Sequence, residues 1–332
     1  MTTPKLIDTF SRKINYMRIS VTDRCNLRCV YCMPPEGLKL MDHREVLSYE
    51  ELLRVARVAV ALGIQKIRIT GGEPLVRRGI TEFIAKLSAI EGIQDLSLTT
   101  NGTLLSKMAG ELKSAGLNRI NISLDTLRRD VFEKITRVDA LQSVLDGIAA
   151  AKAAGFDPIK VNVVAMRGVN DGEILDFVKL AADLDIEVRF IEYMPSRQEF
   201  WEKNALVPAE EILKVIGSAF ALTPARREAT SGPCRVFSLP QRGRVGVISP
   251  LSEHFCGDCN RVRLTADGKL RGCLFVSRER DLKEILRNPA LGEREIEEAL
   301  KATIMEKPEG HKLSERQDSG EKCGLAMSRV GG

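Results

Sequence analysis

What the sequence lacks narrows its class before any motif is read. No apolar run approaches the roughly 20 residues that a membrane-spanning helix needs. Residues Met1 to Lys13 mix charged and polar side chains without an apolar centre, unlike a secretory leader. Aromatics are only 5% of the chain, and no stretch interleaves them with basic residues as a nucleic-acid surface would. The expectation is a cytoplasmic protein that engages neither membrane nor nucleic acid.

What is present is an ordinary apolar fraction of 44% over 332 residues, enough for one large core and a smaller module. A net charge of +5 suits an anionic ligand but discriminates little by itself. The cysteines say more. Cys25, Cys29 and Cys32 form one group, and Cys256, Cys259 and Cys273 a second. In a reducing compartment such grouping points to metal sites before disulfides. Cys234 and Cys323 stand outside both groups and read as ordinary free thiols.

A unit recurs through the first two thirds of the chain: glycine, short strand, polar loop, amphipathic helix. Strand entries follow Gly63, Gly92, Gly116 and Gly155, each placed where a helix should end in a left-handed residue. Strands around Tyr16–Ser20 and Ile186–Ile191 bring the set to six. Helical spacing marks Glu50–Ala61 and Ile174–Leu184, the first opened by the capping-box pattern Ser48-Tyr-Glu-Glu51. Alternating strands and helices imply a parallel α/β sheet with right-handed crossovers, here a partial (β/α)6 version of the TIM-like barrel over residues 1–200. From 201 to 332 the pattern changes to a smaller module expected to close the open side. It reads as a helix near Pro208–Ile216, strands at Arg235–Leu239, Arg244–Ile248 and Arg261–Thr265, a hairpin turn at Asp267-Gly268, and helices around Leu282–Leu286 and Ile296–Lys301.

Strand parity divides the barrel residues unusually. Met17 and Ile19, Ile67 and Ile69, Ile120 and Ile122, Ile159 and Val161 share one face, which packs on helices. The other face carries Arg18, Arg68, Thr70, Ser97, Thr99, Asn121, Ser123, Lys160, Asn162 and Arg189. Closed barrels fill their lumen with branched apolar side chains, and unpaired buried cations are costly. An open polar lumen that binds an anion accounts for this; a two-layer sheet with one wet face is the alternative.

Cys25-x3-Cys29-x2-Cys32 follows the first strand. Three thiolates at this spacing can hold three irons of a [4Fe–4S] cluster and leave the fourth open. Zinc stays possible, although it wants a fourth ligand and the nearest other donor, His43, is eleven residues on. Gly71-Gly72-Glu73-Pro74 follows the second strand; its glycines would let the backbone approach a ligand closely. In the second group, Cys256-x2-Cys259 and Cys273 with His254 suit a Cys3His zinc module as well as a second cluster.

The first group, with Tyr31 just before its last cysteine and Gly-Gly-Glu-Pro beyond it, resembles the signature of the radical S-adenosylmethionine superfamily. The passage Phe255 to Leu274, within a similarity running from Arg18 to Leu274, resembles the GTP 3′,8-cyclase family of molybdenum cofactor biosynthesis, as do the terminal Gly331-Gly332. The resemblance implies two [4Fe–4S] clusters and S-adenosyl-L-methionine as cofactors. The open iron of the first cluster would take S-adenosylmethionine, whose reductive cleavage gives a 5′-deoxyadenosyl radical; the second would bind the guanine of GTP, leaving His254 a neighbouring side chain. Arg18, Arg68, Thr99, Lys160, Arg261, Val262 and Arg263 would contact GTP. Tyr31, Gly72, Ser123 and Met194 would contact S-adenosylmethionine. Arg261, Arg263, Gly331 and Gly332 would serve the reaction itself.

The implied activity is conversion of GTP to (8S)-3′,8-cyclo-7,8-dihydroguanosine 5′-triphosphate. The implied partners are an external electron donor of flavodoxin or ferredoxin type, a second copy in a homodimer, and a downstream cyclic pyranopterin monophosphate synthase. The tail departs from the family, which more often has an arginine near Leu325-Ala326-Met327, while Arg329 is retained. A peptide-modifying radical enzyme would carry more cysteines in its C-terminal part. A non-catalytic iron–sulfur sensor or RNA-binding protein would need the basic and aromatic runs that are missing.

Overall fold

The computed structural model describes residues 6–194, 205–226, 232–275 and 277–311. The first part is a run of parallel strands with crossover helices: β1 (Tyr16–Ser20), β2 (Lys66–Thr70), β3 (Asp95–Thr100), β4 (Arg119–Ser123), β5 (Ile159–Ala165) and β6 (Glu187–Glu192). Between them run α1 (Tyr49–Ala61), α2 (Ile80–Ser88), α3 (Leu105–Ser114), α4 (Arg129–Thr136), α5 (Leu141–Ala153) and α6 (Ile174–Leu184). The capping box is formed: the Glu51 N–H donates to Ser48 Oγ at 3.2 Å, and the Ser48 N–H to Glu51 Oε2 at 2.6 Å. Gly63, Gly116 and Gly155 follow their helix caps directly with φ of 102°, 90° and 77°, and Gly92 ends the turn after α2.

The remaining elements are α7 (Ala209–Gly217), β7 (Thr223–Pro224), β8 (Arg235–Ser238), β9 (Arg244–Ile248), β10 (Arg261–Leu264), β11 (Lys269–Arg271), β12 (Arg280–Asp281), α8 (Lys283–Arg287) and α9 (Glu293–Met305). Their strands do not form a separate sheet. β9 pairs parallel with β6, and β10 pairs parallel with β1. Antiparallel β8–β7 and β11–β12 then extend the two ends, giving the order β12-β11-β10-β1-β2-β3-β4-β5-β6-β9-β8-β7. The partial barrel is thus widened at both edges by the C-terminal module, and the described strands leave it open. The division expected near residue 200 falls outside the described residues.

Parity holds along the register. Met17, Ile19, Ile67, Ile69, Leu98, Ile120, Ile122 and Val161 are fully buried against the helices. On the opposite face Arg18 stands beside Arg68 and Arg68 beside Ser97, while Thr99, Asn121 and Lys160 form another row. Arg263 on β10 extends the first row past Arg18. No described helix is long and apolar enough to cross a membrane.

Candidate functional site

The polar face surrounds a cavity of about 570 Å³ that reaches from one cysteine group to the other. Arg18, Arg68, Thr99, Lys160, Arg261 and Arg263 line it, as do Tyr31, Gly72, Ser123, Met194 and all six grouped cysteines. Val262 is the exception among the expected contacts. Its side chain is 0% exposed and lies in the apolar core, because alternation turns it away from Arg261 and Arg263; only its main chain could serve a ligand. Ser97 and Asn121 lie on the lumen side in register but are covered, with Ser97 Oγ accepting from Arg68 Nε at 3.3 Å. Gly331 and Gly332 lie outside the described residues.

At the first cysteine end, the loop after β1 is tied to the end of α4: the Arg28 N–H donates to the Thr136 carbonyl and the Val30 N–H to that of Ile135. Cys25 Sγ accepts from the Leu27 N–H at 3.4 Å and from Asn101 Nδ2 at 3.9 Å. Gly71 and Gly72 run alongside Thr22–Arg24, with the Gly72 N–H on the Thr22 carbonyl at 2.7 Å and the Glu73 N–H on that of Arg24 at 2.8 Å. A Cβ on Gly71 would stand 2.6 Å from the Thr22 oxygen, and one on Gly72 2.6 Å from the Arg24 carbonyl carbon. The glycines therefore admit the cysteine loop's own backbone, a tighter requirement than the ligand approach the sequence suggested. Glu73, buried, accepts from the Leu75 and Asn101 N–H groups and from Thr100 Oγ1, tying this loop to the one after β3. Burial raises its pKa to about 7. Tyr31 donates to Asp125 Oδ2 at 2.6 Å, and the Val164 N–H holds the other carboxylate oxygen at 2.8 Å. Burial takes Asp125 to about 6.

Between the two ends the lining is strongly cationic. Among the described residues ten lysines and arginines face the cavity against two glutamates. One of these, Glu187, pairs with Arg189; the other, Glu192, accepts from the N–H groups of Ala209, Leu251 and Ser252. Lys160 is 7% exposed, and burial with Arg189 beside it brings its ammonium down to about 7. Three buried polar atoms of cavity-lining residues have no hydrogen-bond partner: Arg18 Nε, Thr99 Oγ1 and Asn162 Oδ1. Orphaned polar groups around an open space are what a polar, anionic ligand would satisfy. Sequence reading missed Tyr16 and Lys66, which point into the same space two residues before Arg18 and Arg68. Burial alone would raise the Tyr16 phenol, but Arg68, Arg18, Lys66 and Arg261 bring it down to about 8. Extending the parity argument by one step along β1 and β2 would have found both.

At the second end, Arg12 binds Asp8 and donates to the carbonyls of Cys256, Pro308 and Glu309, strapping the cysteine loop to the segment after α9. Lys307 donates to Cys259 Sγ at 3.4 Å. Burial opposes ionisation of Cys259, but Arg261 and Lys307 outweigh it and bring the thiol to about 6. His254 is exposed and meets His311 edge-on at 4.8 Å; it is the buried His311, not His254, that lines the cavity at this end. Each end thus offers three half-buried thiols facing one cavity, the donor set of a [4Fe–4S] cluster with one iron open. Among the described residues no three His, Cys, Asp or Glu side chains converge on a single ion, so what fits is donor type and spacing, not preassembled coordination.

Two family models match the chain: Radical SAM superfamily over residues 19–181 and Molybdenum Cofactor Synthesis C over residues 186–313. The GTP 3′,8-cyclase of Geobacter sulfurreducens is 53% identical over 331 residues, 99% of this chain and 100% of that protein. The GTP 3′,8-cyclase of Alkaliphilus oremlandii is 50% identical over 98% of this chain and 99% of its own. Streptococcus suis SuiB bound to S-adenosylmethionine superposes with a TM-score of 0.61, covering 92% of this chain and 73% of SuiB. At 13% identity that likeness shows the fold alone.

Proposed function

The chain belongs to the GTP 3′,8-cyclase family of the radical S-adenosylmethionine superfamily, and on that premise we propose that its cavity converts GTP to (8S)-3′,8-cyclo-7,8-dihydroguanosine 5′-triphosphate, the first step of molybdenum cofactor biosynthesis. Cys25, Cys29 and Cys32 would hold the first [4Fe–4S] cluster, with Tyr31, Gly72, Ser123 and Met194 orienting S-adenosylmethionine. When bound, this pair supplies a 5′-deoxyadenosyl radical. Cys256, Cys259 and Cys273 would hold a second cluster. Arg18, Arg68, Thr99 and Lys160 hold the substrate's anionic part, while Arg261, the main chain at Val262 and Arg263 hold the guanosine so that ribose C3′ can lose hydrogen and bond to guanine C8. Arginine forks match phosphate oxygens, and burial in the lumen keeps water from competing for them.

The observation that carries this reading is the excess of cations and orphaned polar atoms between two three-thiol ends of one cavity. Its test is nucleotide binding by the reconstituted enzyme. Arg68→Ala and Lys160→Ala are each expected to weaken GTP binding by about 1.5–3 kcal/mol, the scale of a lost charge-assisted hydrogen bond. S-adenosylmethionine affinity should change far less. Undiminished GTP affinity in both variants would contradict the assignment.

Lys160 also sets a pH dependence. Its pKa in the free protein is about 7, depressed by burial and by Arg189, Arg68 and Arg119 against the single carboxylate of Glu187. A bound polyanion favours the ammonium, so GTP binding above pH 7 takes up a proton and weakens as pH rises toward the bound-state pKa. Calorimetry in buffers of different ionisation enthalpy should show proton uptake at pH 8 in the wild type and less in Lys160→Met. That difference removes the nucleotide's own titration. Equal uptake in the two proteins would place the titrating group elsewhere.

The same reading assigns an external reductant of flavodoxin or ferredoxin type, a homodimer, a cytoplasmic setting, and a downstream cyclic pyranopterin monophosphate synthase that takes the product. It also gives Gly331 and Gly332 a part in productive cyclisation. The functional division remains a barrel over 1–200 and a module over 201–332.

A further inference from the structure

Lys307 reaches the second cysteine end from behind, just past the end of α9. It is 4% exposed, and its ammonium donates to Cys259 Sγ at 3.4 Å, to the Arg261 carbonyl at 3.1 Å and to the Gly272 carbonyl. Its three protons thus go to one ligand thiol, the residue two beyond it, and the residue before Cys273. The charged groups that face it are the thiols of Cys259 and Cys273 and the guanidinium of Arg261. A buried ammonium is costly without an anion beside it. Arg12 has Asp8 for that purpose, and apart from it donates only to main-chain carbonyls here. For Lys307 the anion on offer is thiolate sulfur.

We propose that Lys307 is a tuning residue of the second cluster, holding its reduction potential up through a charged N–H···S bond to Cys259. The inference rests on the second-cluster reading given above. Reduction adds negative charge to a cluster, and both a hydrogen bond to a ligand sulfur and a nearby fixed cation stabilise the more negative state. The donation is to the thiol itself, so the effect is specific to this end of the cavity; the first group has Asn101 Nδ2, a neutral donor at 3.9 Å, in the comparable position.

The test is a redox titration of the full-length, anaerobically reconstituted protein, followed by electron paramagnetic resonance and iron content, without substrate. Wild type, Lys307→Met and Lys307→Arg should each carry two clusters. In Lys307→Met the second cluster's equilibrium with its reduced form should shift tenfold or more toward oxidised, about 59 mV for a one-electron couple. The first cluster should stay where it is, and Lys307→Arg should recover most of the shift. An unmoved midpoint in Lys307→Met with both clusters present overturns the proposal. Should Lys307→Met fail to keep its second cluster, Lys307→Gln retains a neutral donor. A lower midpoint in Lys307→Gln than in Lys307→Arg supports the role of charge, and equal midpoints overturn it. Iron for only one cluster in the wild type would sink the second-cluster reading before any substitution is made.

Discussion

Cys25→Ala is expected to abolish S-adenosylmethionine cleavage and to lower iron from about eight to about four per chain after anaerobic reconstitution. Three thiolates hold three of the four irons and leave one open; with two, a second iron has no protein ligand. Cys25 is also where the cysteine loop meets the loop after β3, through Asn101 Nδ2. The loss should be local. The second cysteine group lies on the turn just before β10 and just after β11, and the cations that line the lumen sit on strands whose register does not depend on the β1 loop. GTP binding should therefore persist in Cys25→Ala. Cys234→Ala is the matched control: its sulfur faces the cavity, but burial pushes its pKa up to about 11 and it belongs to neither group. It should keep full iron and full cleavage. Cleavage surviving in Cys25→Ala, or iron falling equally in Cys234→Ala, would undo the assignment of the first site.

How far the sequence revealed this depended on the range of the interaction. Capping at Ser48 and Glu51 and the glycines ending helices are set within a few residues, and both stand as the sequence implied. Parity is nearly as local. Arg18 between Met17 and Ile19 must face away from them, so the lumen cations could be placed from alternation alone. The cavity end beside the second cysteine group was out of reach, because Lys307 and Cys259 are 48 residues apart and Arg12 and Cys256 are 244 apart. The insertion of β10 beside β1 and β9 beside β6 was equally hidden, since parallel pairing leaves no turn to announce it. Val262 adds a distinction that resemblance alone does not make: alternation sends its side chain to the core, so only its main chain is available to a ligand.

Gly72→Ala is expected to cost about 3 kcal/mol or more, because nothing near the new methyl can move independently. The Cβ would meet the Arg24 carbonyl carbon at 2.6 Å and the Asp23 carbonyl oxygen at 2.9 Å, both backbone. Those two segments are held at this spacing by hydrogen bonds from Gly72 to Thr22 and from Glu73 to Arg24. Relief requires the segments to part, which gives up the hydrogen bonds and shifts Arg24, the residue immediately before Cys25. Stability and the first cluster should consequently fail together: a lower thermal midpoint, iron reduced toward four, and weak cleavage of S-adenosylmethionine. GTP binding should suffer less, since the lumen rows on β3, β4 and β5 are untouched. Gly110→Ala isolates the cause. That glycine lies within α3 with nothing within 4 Å of its Cβ position, so alanine there should stabilise the helix by up to about 1 kcal/mol. If Gly72→Ala matched Gly110→Ala in stability and iron content, the close approach of the two backbones would not be what requires glycine at this position.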